Sequence, residues 1–242
     1  MKYSKFFLLL LPVFFFCIQA SNAQLAQKYK GYTENYYKGV RYGLFKPLNY
    51  DPKKSYPLVV YLHGSRDTVS RDINLYYPST QSQYPCFVLS PKCTQSNQGW
   101  GNSWQGDHTE TMSKTLALVD SLVKEYHMDS DRLYIFGISM GGFGVFSVLQ
   151  KNPGKFAAAY AICGGSSPEV ADKIMQTPLW IFHGADDDVV PVNLSRDIYN
   201  KIISMGGKKT KYTEYPGVKH NSWENAAREK ELIPWLFAQK KE

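Results

Sequence analysis

The chain has 242 residues, enough for one α/β domain with a substantial core and too few for such a domain plus a second large module. Its 28 lysines and arginines exceed 21 aspartates and glutamates, giving a net charge of +7, but they are dispersed apart from small clusters such as Lys208-Lys209 and Lys240-Lys241. Such pairs mark solvated turns and tails, so the charge argues against a nucleic-acid partner.

In chain order the first element is a leader. Lys2 and Lys5 precede an apolar stretch over 6–18, and Ser21-Asn22-Ala23 supplies small residues where a signal peptidase would cut before Gln24. About 13 apolar residues fall short of the roughly 20 that span a bilayer, so the expectation is a signal peptide over 1–23, a domain over 24–242, and no stable membrane span after cleavage. Losing Lys2 and Lys5 takes the net charge from +7 to +5. A secreted or periplasmic location follows, and with it an oxidising compartment. Cys86, Cys93 and Cys163 remain after cleavage. Cys86 and Cys93 bracket a short apolar run that, as a strand, separates them beyond disulfide reach, and no spacing suits zinc. Three reduced, mostly buried thiols and no metal site are expected.

Residues 32–45 alternate loosely and are rich in tyrosine, which predicts one or two antiparallel edge strands. The pattern then changes to short, nearly continuous apolar runs at 57–62, 86–89, 133–136, 156–163 and 179–182, as for strands covered on both faces, with a last strand at 211–215. Between and after them, helical spacing predicts helices over 109–126, 140–150, 193–205 and 222–238. Strands alternating with helices imply a mostly parallel sheet flanked by helices. The segment 65–85 has little periodicity and reads as a long loop, a usual place for function.

The chemistry begins at Gly137-Ile138-Ser139-Met140-Gly141, between the strand at 133–136 and the helix that follows. A strand that turns at once into a helix needs close backbone approach, which the two glycines permit, leaving Ser139 strained and exposed above the sheet. A serine hydroxyl is a weak nucleophile near neutrality and needs a histidine base held in the right tautomer by a carboxylate. Downstream, Asp187 stands out in the turn after the strand at 179–182, with Asp186 and Asp188 as competitors. His220 lies on a loop between the last strand and the final helix, whereas His63 and His183 sit in strand-ending His-Gly pairs that suit turn-organising hydrogen bonds. The order Ser139, Asp187, His220 is that of a nucleophile, acid and base, each placed after a strand. The Met140 amide at a helix start and the Ser65 amide are the expected oxyanion donors.

These segments, with Leu62-His63-Gly64-Ser65, His183-Gly184, Val190-Pro191 and Gly217 through Trp223, resemble the α/β-hydrolase superfamily from about residue 40 onward. More narrowly they resemble its small secreted carboxylesterases, related to phospholipase/carboxylesterases and to polyhydroxybutyrate-depolymerase-like and feruloyl-esterase-like proteins. The resemblance implies the α/β-hydrolase fold, Ser139 as nucleophile, Asp187 as acid four residues after His183, and His220 as base, without metal or organic cofactor. It also implies that Ser90-Pro91-Lys92-Cys93, followed by Trp100 and Trp104, continues into the wall of the site. One departure is that Arg66 and Asp67 follow Ser65 where relatives often carry a second glycine, which leaves the second oxyanion donor open.

Trp100, Trp104 and Trp223 are the candidate substrate contacts, as aromatic faces that stack on aromatic or sugar-linked groups. The expected activity is hydrolysis of a small-molecule or carbohydrate-linked ester, acetyl and feruloyl esters included. The alternatives are a peptidase of the prolyl-oligopeptidase type and a non-catalytic binding protein on the same fold.

Overall fold

The computed structural model describes residues 31–65, 74–93 and 99–241. The leader, and Arg66 and Asp67, lie outside the described residues. Strands β1 (Tyr32–Tyr37) and β2 (Val40–Phe45) form a hairpin whose two-residue turn, Lys38-Gly39, has positive φ at both positions (47° and 82°), the turn whose twist matches its flanking strands. The other strands are β3 (Leu58–Leu62), β4 (Phe87–Pro91), β5 (Leu133–Ile138), β6 (Ala158–Ile162), β7 (Leu179–Gly184) and β8 (Thr210–Tyr215). They complete one eight-stranded sheet in the order β1-β2-β4-β3-β5-β6-β7-β8. Among the described residues, the pairings β1 with β2 and β2 with β4 are antiparallel and the other five are parallel.

The unbroken apolar runs are explained by burial on both faces. Leu58, Val60 and Leu62 of β3 enter one core cluster, while Val59 and Tyr61 enter the other, as the two-residue strand period requires. The same split recurs in β5, where Leu133 and Ile135 oppose Tyr134 and Phe136, and in β7, where Leu179 and Ile181 oppose Trp180 and Phe182. The helices are α1 (Pro78–Gln83), α2 (Glu110–Glu125), α3 (Met140–Lys151), α4 (Ala171–Ile174), α5 (Asn193–Ser204), α6 (Trp223–Ala226) and α7 (Leu232–Phe237). Residues of α2, α3 and α5 pack on the first face, and α6 and α7 on the second. Thr109 caps α2 by accepting from the Met112 amide at 3.2 Å.

Two expectations are corrected. The long loop over 65–85 holds a 3₁₀ turn at Asn74–Tyr76 and then α1, with Pro78 in its first turn. This helix carries no apolar stripe; its buried side chain is Gln81, whose amide donates to the Leu75 and Cys86 carbonyls at 2.8 and 3.2 Å. The single helix expected over 222–238 is instead two, α6 and α7. Pro234 is the reason: inside a continuous helix it would remove a hydrogen bond and clash with the preceding turn, whereas in the first turn of α7 its missing N–H costs nothing. Cys86 and Cys163 are buried free thiols and Cys93 is half-buried.

Candidate active site

Ser139 sits between β5 and α3 with φ 54° and ψ −115°, a conformation rare for any residue with a side chain. Two backbone hydrogen bonds hold it there: its amide donates to the Ile162 carbonyl at 2.9 Å, and its carbonyl accepts from Phe143 at 3.1 Å. The flanking glycines are sterically required. A Cβ on Gly137 would lie 2.2 Å from the Gly141 carbonyl oxygen, and one on Gly141 would lie 1.9 Å from that of Leu62.

His220, on the loop after β8, presents Nε2 to the Ser139 hydroxyl at 3.0 Å. Its Nδ1 faces both carboxylate oxygens of Asp187, at 2.8 and 3.0 Å, which places the imidazole proton on Nδ1 and leaves Nε2 as acceptor. Asp187 lies in the turn after β7, with its side chain fully shielded from solvent. Asp186 and Asp188 are exposed, and Asp188 pairs with Lys219 instead. Burial alone would push the Asp187 carboxyl upward. Donation from His220 and from the Val190 and Val189 amides outweighs it and holds the group below its ordinary range. A hydroxyl in this geometry can pass its proton to the imidazole as it attacks, and the carboxylate stabilises the imidazolium that results.

Met140 is the first residue of α3, so its amide has no acceptor within the helix and lies at the positive end of the dipole. Ser65 lines the same cavity as Ser139. The loop carrying it is pinned from beneath: His63 Nε2 accepts from the Cys93 amide at 2.9 Å, so Nδ1 bears the proton and donates to the Gly64 carbonyl at 2.6 Å. Trp100 donates from Nε1 to the His63 carbonyl at 2.9 Å. Trp100 is fully buried in the core and does not reach the cavity, and Trp104 is exposed beside Phe143 and does not line it. Of the three tryptophans only Trp223 lines the cavity.

That cavity, about 820 Å³, runs from Ser139 and His220 across the second face of the sheet to Leu232 and Ile233 of α7. Its floor is a stack of aromatic rings, with centroids 4.7 Å apart for Tyr61 and Phe136 and 4.5 Å for Phe136 and Tyr160. Sequence reasoning missed these residues. The available signal was an aromatic side chain at one level of three strands that pair in register, Tyr61 with Phe136 and Phe136 with Tyr160.

Among the described residues one group could be considered for a metal: the ligand atoms of Cys163, Asp187 and His220 lie within 4.8 Å of one another. Its chemistry fits poorly. Burial pushes the Cys163 thiol up to about 12, away from the thiolate that binds metals, and the Asp187 oxygens already accept N–H donors.

A mostly parallel open sheet with a serine on a strained strand-to-helix turn above its carboxyl edge is the α/β-hydrolase fold. The chain belongs to the phospholipase/carboxylesterase family, whose family model matches residues 96–229, more than half of its length. It is similar to a thermostable esterase of known crystal structure, with a TM-score of 0.80 and 33% identity over 88% of this chain and 64% of that one. Among curated relatives, a bifunctional acetylxylan esterase/xylanase of Neocallimastix patriciarum is 29% identical over 61% of this chain, and dipeptidyl-peptidase 5 of Porphyromonas gingivalis is 28% identical over 49%. This chain spans only 21% and 18% of the length of those two proteins. No helix among the described residues is long and apolar enough to cross a membrane.

Proposed function

We propose that this protein is a serine esterase that forms an acyl-enzyme on Ser139. The observation that carries the reading is the continuous chain of hydrogen bonds from Ser139 through His220 to the shielded Asp187, opening on a large cavity with an aromatic floor. Ser139 Oγ attacks the ester carbonyl while His220 Nε2 takes its proton; the tetrahedral oxyanion lies against the Met140 and Ser65 amides. His220 then protonates the departing alcohol, and water repeats the sequence to release the acid. No metal or organic cofactor takes part in these steps.

The aromatic floor and Trp223 favour an ester with a bulky or aromatic group, such as a feruloyl ester, and the likeness to an acetylxylan esterase makes carbohydrate-linked acyl groups the natural panel. We place the enzyme outside the cytoplasm, with 24–242 as one catalytic domain behind the leader. The likeness to a dipeptidyl-peptidase supports a second reading, a serine peptidase. The deciding experiment is a panel of p-nitrophenyl esters of graded length, methyl ferulate, acetylated xylan and short proline-containing peptides. Ester turnover that Ser139→Ala abolishes, with wild-type Ser139 labelled by a fluorophosphonate, supports the proposal. Peptide turnover exceeding ester turnover favours the peptidase. Absence of labelling together with absence of turnover overturns both and leaves a binding protein.

A further inference from the structure

His183, the last side chain of β7, takes no direct part in the chemistry above, yet it is completely buried against the acid. Its Nε2 lies 3.1 Å from Asp187 Oδ2 and 3.0 Å from the Val190 carbonyl, while Nδ1 lies 2.7 Å from the hydroxyl of Ser195 on α5. Burial holds the imidazole below its ordinary value, more than the Val190 carbonyl and Asp187 raise it. A neutral imidazole has one N–H, and Nε2 faces two acceptors, so the proton belongs there. Nδ1 then accepts from Ser195, whose single hydroxyl hydrogen is shared with the Gly164 carbonyl at 2.9 Å. Gly164 in turn packs backbone to backbone against Gly142 near the start of α3: a Cβ on Gly142 would lie 3.0 Å from the Gly164 Cα.

We propose that His183 is a positioning residue for Asp187, with Ser195 orienting its ring, so that the nucleophile, base and acid are extended by a buried second imidazole and a hydroxyl. The proposal rests on the esterase reading and deepens it. Asp187 Oδ2 is shared between two imidazoles, His220 on the cavity side and His183 on the core side. The His183 N–H fixes the plane of the carboxylate and draws off part of its charge, which limits how tightly Asp187 holds the His220 imidazolium. A proton on Nδ1 instead would turn the Nε2 lone pair toward a carboxylate and a carbonyl, themselves acceptors, so those two oxygens fix the tautomer and the bond to Ser195 fixes the plane of the ring. The other titratable groups facing this cluster are Cys163 at the end of β6 and Glu214 on β8; Lys219 and Asp188 pair with each other at the surface.

The test uses Ser195→Ala, His183→Gln and His183→Leu, read as kcat and KM for a p-nitrophenyl ester and as the acidic limb of the pH profile of kcat/KM. His183→Leu is expected to lower kcat about 10- to 100-fold with KM within about twofold. His183→Gln, whose amide can offer an N–H near the Nε2 position, recovers most of the loss. Ser195→Ala, which frees the His183 ring to turn away from Asp187, lowers kcat by less and moves the acidic limb to higher pH, as a carboxylate less shared keeps more of its charge. Unchanged kcat and an unmoved limb in Ser195→Ala, or His183→Gln no better than His183→Leu, overturns the proposal. Should His183→Leu fail to fold, Ser195→Ala and His183→Gln decide. If fluorophosphonate fails to label Ser139 in the wild type, the esterase reading fails instead; labelled wild type with variants of unaltered kinetics sinks only the role of His183.

Discussion

Gly141→Ala puts the close packing beneath the serine to a quantitative test. The new Cβ would lie 1.9 Å from the Leu62 carbonyl oxygen, 2.5 Å from its carbon and 3.0 Å from the His63 oxygen. All three are backbone atoms, so no side chain can rotate away. Ordinary contact begins near 3.4 Å, and the start of α3 must therefore retreat from β3 by about 1.5 Å. The retreat separates the Met140 amide from the loop that carries Ser65, opening the gap in which the oxyanion would sit. Misplacement on the scale of 1 Å costs about 100-fold in rate, or about 2.7 kcal/mol of transition-state stabilisation. Overpacking adds roughly 1–3 kcal/mol of lost stability. The assay is kcat/KM on a p-nitrophenyl ester beside a thermal melt, with Gly106→Ala as control, since a Cβ there meets nothing within 4 Å. A Gly141→Ala protein with wild-type kcat/KM and an unchanged Tm would refute the argument.

Other outcomes follow from the described contacts. Trp100→Phe removes the donor to the His63 carbonyl and leaves a void in the core where the larger indole was, so urea denaturation should show roughly 2–4 kcal/mol of lost stability, while Trp104→Ala on the surface stays within about 0.5 kcal/mol. The Arg196 guanidinium, bonded through two nitrogens at 2.6 and 2.8 Å, holds Glu214 down from 4.5 to about 2. Because the folded value is depressed, the stability from this pair is present above pH 4.5 and lost as pH falls toward 2; the difference between wild type and Glu214→Gln in melts at stepped pH should vanish over that interval. Cys86 and Cys163, buried and each pushed up to about 12, should resist a thiol reagent in the native protein, and half-buried Cys93 should react first; titration with Ellman's reagent followed by peptide mapping checks the order.

The inner strands β3 to β7 were legible because each had to be buried on both faces, which leaves an unbroken run in the sequence. The positions of Ser139, Asp187 and His220 were legible for a related reason: a parallel sheet brings the residues that follow its strands to one edge, so chain order after strand ends becomes proximity in space. The cavity was less legible, because Tyr61, Phe136 and Tyr160 become neighbours only through the register of three strands. Trp100 was assigned to the substrate because its residue type suits stacking, but residue type does not say which way a side chain points. His183 was read as the organiser of a turn; its second contact, to Asp187, depends on how the turn after β7 folds back. The split of the last helix has a visible cause in Pro234, which the helical spacing over 222–238 does not take into account.

The hydroxyl–imidazole pair links residues 81 apart in sequence, and the imidazole–carboxylate pair residues 33 apart. The three groups follow β5, β7 and β8, and β8 is the outermost strand on its side of the sheet. The site therefore does not exist until that edge strand has docked, since no shorter stretch of chain holds all three groups. In a refolding experiment, the return of ester turnover would time the docking of β8, while circular dichroism would report helices that can form earlier. Measured together, the two signals would give the interval between having a fold and having an enzyme.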